Sequence, residues 1–267
     1  MRLRAAALSL ALVAPGAACR AAPPVEPATT AEASRSIAVE IVAEHPHDPE
    51  AFTQGLVWDG RYLLESTGLE GRSTLREVEL ASGRVVRRRD LAPDLFGEGL
   101  ALVADRLVQL TWKNEKVLSW NRADFAAAGE QALAGEGWGL AWDGRSLVES
   151  DGSPFLVWRS PATLAEERRL LVRRGGRPLA YLNELEVADG EIFANVWMTD
   201  EIVRIDPRSG DVTATYDASG LLTAAERDQA DVLNGIAWDP TKRVFYITGK
   251  LWPKLFEVRL PDPPVKR

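Results

Sequence analysis

The chain has 267 residues, of which 46% are hydrophobic, and its formal net charge is −7 at pH 7. Such an acidic protein offers no broad basic surface for a phosphate backbone, which argues against a nucleic-acid partner. Its two histidines, His45 and His47, and its single cysteine, Cys19, argue against a His-rich zinc site, a Ser-His-Asp hydrolase and a cysteine nucleophile.

Residues 1–19 are predicted to be an export signal. Arg2 and Arg4 provide the positive start, residues 5–14 form an apolar run too short to span a bilayer, and small residues precede Cys19. The position of Cys19 resembles that in a bacterial lipoprotein signal. Two alternatives stay open, a lipid anchor at Cys19 or ordinary cleavage nearby. Both predict export to the bacterial periplasm, the cell envelope or the medium.

The remainder of the chain divides into a linker and one folded domain. Residues 20–36 are rich in Ala, Pro and Thr without an apolar period, which is typical of a flexible linker. An alternating, β-branched run over residues 37–42 begins the folded part. We therefore expect one folded domain over residues 37–267.

A short apolar pattern returns five times in this domain and predicts its architecture. One column of the pattern holds Gly55, Gly99, Gly139, Leu185 and Gly235, at intervals of 44, 40, 46 and 50 residues. A period near 45 built from short strands is typical of propeller blades, because one blade cannot bury its apolar faces alone. The sequence predicts an all-β fold, a five-bladed β-propeller.

The direction of the strands predicts where a site would form. Each copy begins with two strands joined by a tight turn, such as Asp59-Gly60. Residues before the first strand and after the second lie at the same end of a blade, so five blades bring both sets to one face. These rim positions hold Trp, Phe, Glu, Asn and Lys in a different combination in each blade, which indicates a site. A second tryptophan set shares one repeat column and is predicted to pack between blades: Trp58, Trp142 and Trp238.

Six segments resemble the signature segments of the plant and bacterial glutaminyl cyclases. They are Phe52-Thr53-Gln54-Gly55-Leu56, Phe96-Gly97-Glu98-Gly99-Leu100, Gly137-Trp138-Gly139-Leu140, Leu182-Asn183-Glu184-Leu185-Glu186, Leu233-Asn234-Gly235-Ile236-Ala237 and Thr248-Gly249-Lys250-Leu251-Trp252-Pro253. The resemblance extends in order over about residues 40–260. It implies a five-bladed propeller that converts the N-terminal glutamine of peptides or proteins to pyroglutamate and releases ammonia. The family is metal-independent, in agreement with the scarcity of histidine.

This chemistry gives each rim residue an expected role. The substrate's α-amine, with a pKa of about 8, must lose a proton to attack its own side-chain amide, and Glu98 is the expected general base and acid. Asn183 and Lys250 are expected to stabilise the oxyanion. The other predicted substrate-binding residues are Phe52, Gln54, Phe96, Trp112, Trp138 and Trp197. We expect no cofactor and no catalytic metal, and a monomer.

Several alternatives remain open at this point. Glu98 also fits a strand-start carboxylate that accepts backbone N–H groups. A calcium-dependent propeller lactonase or esterase is the main rival, since a hard cation prefers oxygen ligands of the kind offered by Glu98, Asn183, Asn234 and Asp231. A structural calcium ion in the central channel is compatible with either enzyme. The third alternative is a non-catalytic propeller that binds peptide termini.

Overall fold

The structure, a computed structural model, describes residues 36–263. The predicted leader with Cys19, the predicted linker up to residue 35 and residues 264–267 lie outside the described residues. The described part is built from strands, apart from one helical turn, α1 (Ala224–Arg227). Within residues 36–263, no helix has the length and apolar character needed to cross a membrane.

The strands form five blades, numbered here in chain order. Before the first blade come β1 (Ile37–Ala38) and β2 (Glu40–Pro46). Blade 1 consists of β3 (Thr53–Trp58), β4 (Leu63–Thr67), β5 (Thr74–Glu79) and β6 (Arg84–Asp90). Blade 2 consists of β7 (Gly97–Val103), β8 (Arg106–Thr111), β9 (Lys116–Asn121) and β10 (Ala127–Ala132). Blade 3 consists of β11 (Leu140–Trp142), β12 (Leu147–Ser150), β13 (Phe155–Arg159) and β14 (Glu166–Leu171).

A short hairpin separates the third blade from the fourth. It is formed by β15 (Arg173–Arg174) and β16 (Arg177–Pro178). Blade 4 consists of β17 (Leu182–Ala188), β18 (Glu191–Val196), β19 (Glu201–Ile205) and β20 (Val212–Asp217). Blade 5 consists of β21 (Leu233–Asp239), β22 (Val244–Gly249) and β23 (Lys254–Arg259). The predicted five-bladed propeller is confirmed.

The N-terminal strands complete the last two blades. β1 pairs in parallel with β20, with Ile37 opposite Tyr216, and so joins blade 4. β2 pairs antiparallel with β23, with Ile41 opposite Val258, and forms the outermost strand of blade 5. Because β2, which precedes blade 1, pairs with the last strand of blade 5, main-chain hydrogen bonds hold the ring closed.

The first strand of each blade lies innermost, and the apolar core packs between neighbouring blades. Phe193 of blade 4 packs on Phe245 of blade 5 with ring centroids 4.7 Å apart, and Trp58 of blade 1 packs on Tyr246 of blade 5 at 5.1 Å. Trp58, Trp142 and Trp238 also line a cavity of about 240 Å³ at the ends of the inner strands. These three tryptophans thus pack as predicted and also form part of the wall of this cavity.

The predicted glycine column matches the strand ladders in blades 1, 2, 3 and 5, but the prediction is wrong in blade 4. The strand ladders place Leu185 at the position of Leu56, so Glu184 stands where blade 1 has Gly55. The sequence pattern was misaligned because blade 4 has one more residue than blade 1 between this position and its Asp-Gly turn. At Gly99 and Gly139 an added Cβ would overlap the neighbouring inner strand, so these glycines allow close strand approach.

Glu184 is the exception in this column, and its side chain links three blades. Its two carboxylate oxygens accept hydrogen bonds from the backbone N–H of Leu56 in blade 1, at 3.1 Å, and of Ile236 in blade 5, at 2.8 Å. Burial and the nearby charge of Glu186 raise the pKa of Glu184 well above its usual value, against these hydrogen bonds. The fully buried Glu184 thus fastens blades 1, 4 and 5 near the axis.

Candidate active site

The five inner strands each bring one side chain to the same end of the channel. By the register of the ladders these equivalent residues are Gln54, Glu98, Trp138, Asn183 and Asn234. The residues two positions earlier form a second ring: Phe52, Phe96, Glu136, Tyr181 and Val232. A third ring follows the second strand of each blade: Gly68, Trp112, Gly152, Trp197 and Lys250. The site is therefore assembled from all five blades, as the direction of the hairpins predicted.

These rings enclose a cavity of about 400 Å³. The structure brings together every residue that the sequence predicted for the site, and they line this cavity: Glu98, Asn183, Lys250, Phe52, Gln54, Phe96, Trp112, Trp138 and Trp197. Met198, Asp231 and Val232 complete its lining. The size lies within the range of small-molecule sites, about 300–1,000 Å³.

Five aromatic rings line the cavity. Phe52 meets Phe96 edge-on with centroids 6.1 Å apart, and Phe96 lies 5.6 Å from Trp112. Further round, Trp138 and Trp197 meet edge-on at 5.5 Å. Such edge-to-face contacts are the favoured geometry of aromatic pairs, so the rings fix one another's orientation.

Two glycines make room for this wall. An added Cβ at Gly68 would overlap the ring of Phe96, and one at Gly152 would overlap the ring of Trp138. The equivalent positions of the other blades carry Trp112, Trp197 and Lys250. Phe96 of blade 2 therefore lies over Gly68 of blade 1, and Trp138 lies over Gly152 of its own blade 3.

Glu98 lies at the bottom of the cavity with 4% of its surface exposed. Its Oε1 accepts a hydrogen bond from Gln54 Nε2 at 3.2 Å, and Gln54 Oε1 in turn accepts one from Asn234 Nδ2 at 3.1 Å. Asn234 thereby orients Gln54 toward the carboxylate. Burial raises the pKa of Glu98 well above its usual value; Lys250 acts in the opposite direction and Glu136 in the same one.

Lys250 and Asn183 are the other buried polar groups of the cavity. The Lys250 Nζ lies 4.8 Å from the ring centroid of Phe52. Burial lowers the pKa of Lys250, although the charges of Glu98 and Asp231 favour its protonated form. Asn183 is buried, and its Oδ1 has no hydrogen-bond partner among the described residues.

A buried network supports the segment that carries Lys250. His47 Nδ1 lies 2.8 Å from the backbone oxygen of Trp252, and His47 Nε2 lies 3.0 Å from Glu65 Oε1. Glu65 also accepts a hydrogen bond from Thr53, next to Gln54. Burial opposes a charge on His47, but Glu65, the Trp252 backbone oxygen and the charge of Asp48 together outweigh it and raise the pKa of His47. The pair joins the Lys250 segment of blade 5 to blade 1.

Glu136 is a functional candidate that sequence reasoning missed. Its Oε2 accepts hydrogen bonds from the indole N–H groups of Trp112, at 2.9 Å, and Trp138, at 3.1 Å. Lys113 approaches its other oxygen at 3.7 Å and lies over the Trp112 ring. The signal in the sequence was its spacing, since Glu136 precedes Trp138 by the two residues that separate Phe96 from Glu98.

The residues considered as calcium ligands do not form a cluster of carboxylates. Among residues 36–263, no three His, Cys, Asp or Glu side chains form a group that could hold a metal ion. Of the side chains considered for calcium, Glu98, Asn183 and Asp231 line the cavity, whereas Asn234 donates to Gln54 and to the Thr53 backbone oxygen.

The fold and the site define a five-bladed propeller with a substrate-sized axial pocket that combines a buried carboxylate, a buried ammonium group and an aromatic wall. The family described as glutamine cyclotransferase matches residues 10–260. The glutaminyl-peptide cyclotransferase of Arabidopsis thaliana is 42% identical over 228 residues, which are 83% of this chain and 71% of that protein. The crystal structure of Myxococcus xanthus glutaminyl cyclase matches with a TM-score of 0.79 at 40% identity, over 85% of this chain and 98% of that chain. The chain belongs to the glutamine cyclotransferase family, and the resemblance seen in the sequence is confirmed.

Proposed function

We propose that this protein is a glutaminyl-peptide cyclotransferase, which closes the N-terminal glutamine of a peptide or protein to pyroglutamate and releases ammonia. The observation that carries the proposal is the buried, aromatic-walled Glu98 in one cavity with Lys250 and Asn183. The names of the similar proteins from Arabidopsis and Myxococcus support the same activity.

Glu98 acts as the proton carrier of this reaction. An α-amine has a pKa of about 8, and proton transfer is most efficient between groups of similar pKa. The raised pKa of Glu98 brings it closer to that of the amine. Glu98 accepts the proton when the amine nitrogen attacks the side-chain amide carbon. It then delivers this proton to the amide nitrogen as the carbon–nitrogen bond breaks and ammonia leaves.

Lys250 and Asn183 stabilise the charge that develops on the amide oxygen. Attack turns this oxygen into an oxyanion, and preorganised donors in a site that excludes water stabilise it by ~3–4 kcal/mol each. Lys250 supplies positive charge and Asn183 a side-chain amide, and both are buried in the cavity wall. Neither group needs to move to reach the cavity.

The aromatic wall contributes to catalysis by holding the glutamine side chain in a bent conformation. The amine and the amide of one glutamine react only when its side chain folds back, and a site that enforces this conformer removes much of the entropic barrier. Phe52, Phe96, Trp112, Trp138 and Trp197 line the cavity and supply the apolar surface against which the bent side chain packs. Gln54 binds the substrate near its amine, because its amide already faces Glu98.

Incubation of the purified protein with Gln-Phe-amide tests the proposal. We expect stoichiometric ammonia and a pyroglutamyl product by mass spectrometry, and we expect both to persist in EDTA because the proposed steps use side chains alone. Absence of ammonia from any glutaminyl peptide would contradict the proposal and leave the peptide-binding alternative. Loss of turnover in EDTA together with lactone hydrolysis would favour the calcium-dependent lactonase.

We also propose that the protein acts after export, as its N-terminal sequence predicts. Residues 1–19 precede the described residues, so the proposal rests on the pattern of charge and hydrophobicity alone. Mass spectrometry of the mature N-terminus distinguishes acylated Cys19 from ordinary cleavage. An intact Met1 in the native host would contradict export through this segment.

A further inference from the structure

Two large apolar side chains face solvent at the mouth of the cavity. Tyr181 is 55% exposed and Met198 is 67% exposed. The other strongly exposed large apolar residues in the described part, Ile41 and Val42, lie on the outermost strand of blade 5. Water contact costs an apolar side chain free energy, so an exposed pair beside a functional cavity is a candidate binding surface.

Tyr181 continues the aromatic wall outward. It occupies in blade 4 the repeat position that Phe52 and Phe96 hold in blades 1 and 2. Its ring lies 5.9 Å from that of Trp197, which lies 5.5 Å from Trp138 inside the cavity. Exposure rises along this path, from the half-buried tryptophans to the exposed Tyr181.

The backbone beneath these side chains is firmly held. Tyr181 N–H donates to the Gly152 oxygen at 2.7 Å, and Trp197 N–H donates to the Tyr181 oxygen at 2.8 Å. Tyr181 and Met198 both have left-handed backbone conformations, with φ of 66° and 67°, which are uncommon for such residues. The backbone that carries these side chains is therefore in place before any ligand arrives, which lowers the entropic cost of binding.

We infer that Tyr181, Trp197 and Met198 form a subsite for the side chain that follows the N-terminal glutamine, and that this subsite favours large apolar or aromatic residues. The inference rests on the proposed function, which places the glutamine itself inside the cavity. Successive Cα atoms are 3.8 Å apart, so the second residue must lie at the mouth when the first is enclosed. The three side chains offer apolar and aromatic contact and no charge to balance a charged residue.

Rates for a series of substrates test the subsite. We expect kcat/KM for Gln-Phe-amide and Gln-Leu-amide to exceed that for Gln-Ala-amide by about tenfold, the scale of discrimination by apolar contact. Gln-Glu-amide and Gln-Lys-amide should show no such gain. In the double variant Tyr181→Ala/Met198→Ala the Phe-to-Ala ratio should fall to about one to two. Ile41→Ala, which removes an exposed apolar side chain from blade 5, is the matched control and should keep the wild-type ratio.

Three outcomes would overturn the subsite while ammonia is still released: equal rates for all second residues, a preference for charged ones, or an unchanged ratio in the double variant. Loss of ammonia release from every peptide, in the wild type, would instead overturn the proposed function and the subsite with it. Thermal melts establish whether the double variant is folded. Should it unfold, the single variants Tyr181→Ser and Met198→Gln replace it, and each should lower the ratio.

Discussion

Glu98 and Glu184 are two buried carboxylates on inner strands of the propeller, and their surroundings differ. Both oxygens of Glu184 accept backbone N–H groups of other blades, and its side chain lines neither cavity. Glu98 accepts one hydrogen bond, from Gln54, among the described residues and faces the aromatic cavity. Burial raises the pKa of both groups.

This difference separates a structural carboxylate from a reactive one. A raised pKa favours the protonated form, but a proton can be exchanged with a substrate only where a free oxygen reaches the substrate. Glu184 has its oxygens occupied by the main chain, whereas Glu98 has capacity left for a ligand. Perturbed pKa values alone would have assigned the two residues the same importance.

The largest expected effect is loss of activity in Glu98→Gln. The amide keeps the size of the side chain and an oxygen for Gln54, but it cannot carry a proton. We expect kcat for Gln-Phe-amide to fall by about 10³-fold, within the usual contribution of general acid–base catalysis. Circular dichroism and the melting temperature should stay at wild-type values. Activity within tenfold of wild type would remove Glu98 from the mechanism.

The same chemical change at Glu184 should have the opposite result. In Glu184→Gln the single amide oxygen can accept only one of the two backbone N–H groups. The amide nitrogen then faces the second N–H group, and neither can accept a hydrogen bond from the other. A buried donor without a partner costs about 1–3 kcal/mol of unfolding free energy. Urea denaturation should show this loss, while kcat per folded molecule stays at the wild-type level. Wild-type stability in this variant would show that Glu184 does not hold the blades together.

Lys250→Ala should lower kcat by about 10²-fold, because it removes a preorganised donor to the oxyanion. KM should change much less, since the interaction forms as the charge develops. Steady-state kinetics measure both constants. Lys254→Ala is the control: it also removes a lysine from blade 5, but one that pairs with Glu44 and Glu226. A rise in KM at constant kcat would make Lys250 a binding residue instead.

Glu186 should make the fold less stable as the pH rises toward 8, because it lies on the inner strand of blade 4 and burial raises its pKa to about 8. In the unfolded chain a glutamate has a pKa of about 4.3, so its contribution to stability is complete below that pH and is lost toward pH 8. Denaturation at a series of pH values measures the slope. Glu186→Gln should reduce this slope, and an unchanged slope would contradict the raised pKa.

Glu136→Gln should give the smallest effect. The neutral amide weakens the hold on the Trp112 and Trp138 indoles, and we expect KM to rise by about two- to tenfold, the worth of one or two hydrogen bonds. Loss of the negative charge near Glu98 lowers the pKa of Glu98, so the acid limb of the kcat/KM profile should move to lower pH. A purely structural role for Glu136 would leave this limb in place.

The sequence predicted the fold and the location of the site because both follow from hairpin direction. A pattern that repeats with a period near 45 requires stacked blades, and residues flanking a hairpin must share one end of a blade. Phe52, Glu98 and Lys250 therefore share one cavity although they lie far apart in the chain.

Details that depend on register and on side-chain direction could not be predicted. One additional residue before the turn of blade 4 shifted Glu184 into the glycine column, and the pattern alone does not show where a strand absorbs it. The rings of Trp112 and Trp138 converge on Glu136 only through their rotamers. The pairing of β1 with blade 4 and of β2 with blade 5 required three-dimensional coordinates.

The strand pairing that closes the ring also determines when folding can finish. β2 emerges from the ribosome before blade 1, yet its partner β23 follows the other four blades in the chain. The last blade therefore cannot form until β23 has been synthesised, and the pocket, which draws on that blade for Lys250, forms with it. An incomplete polypeptide released early would carry four blades, an unpaired N-terminal edge and no functional cavity.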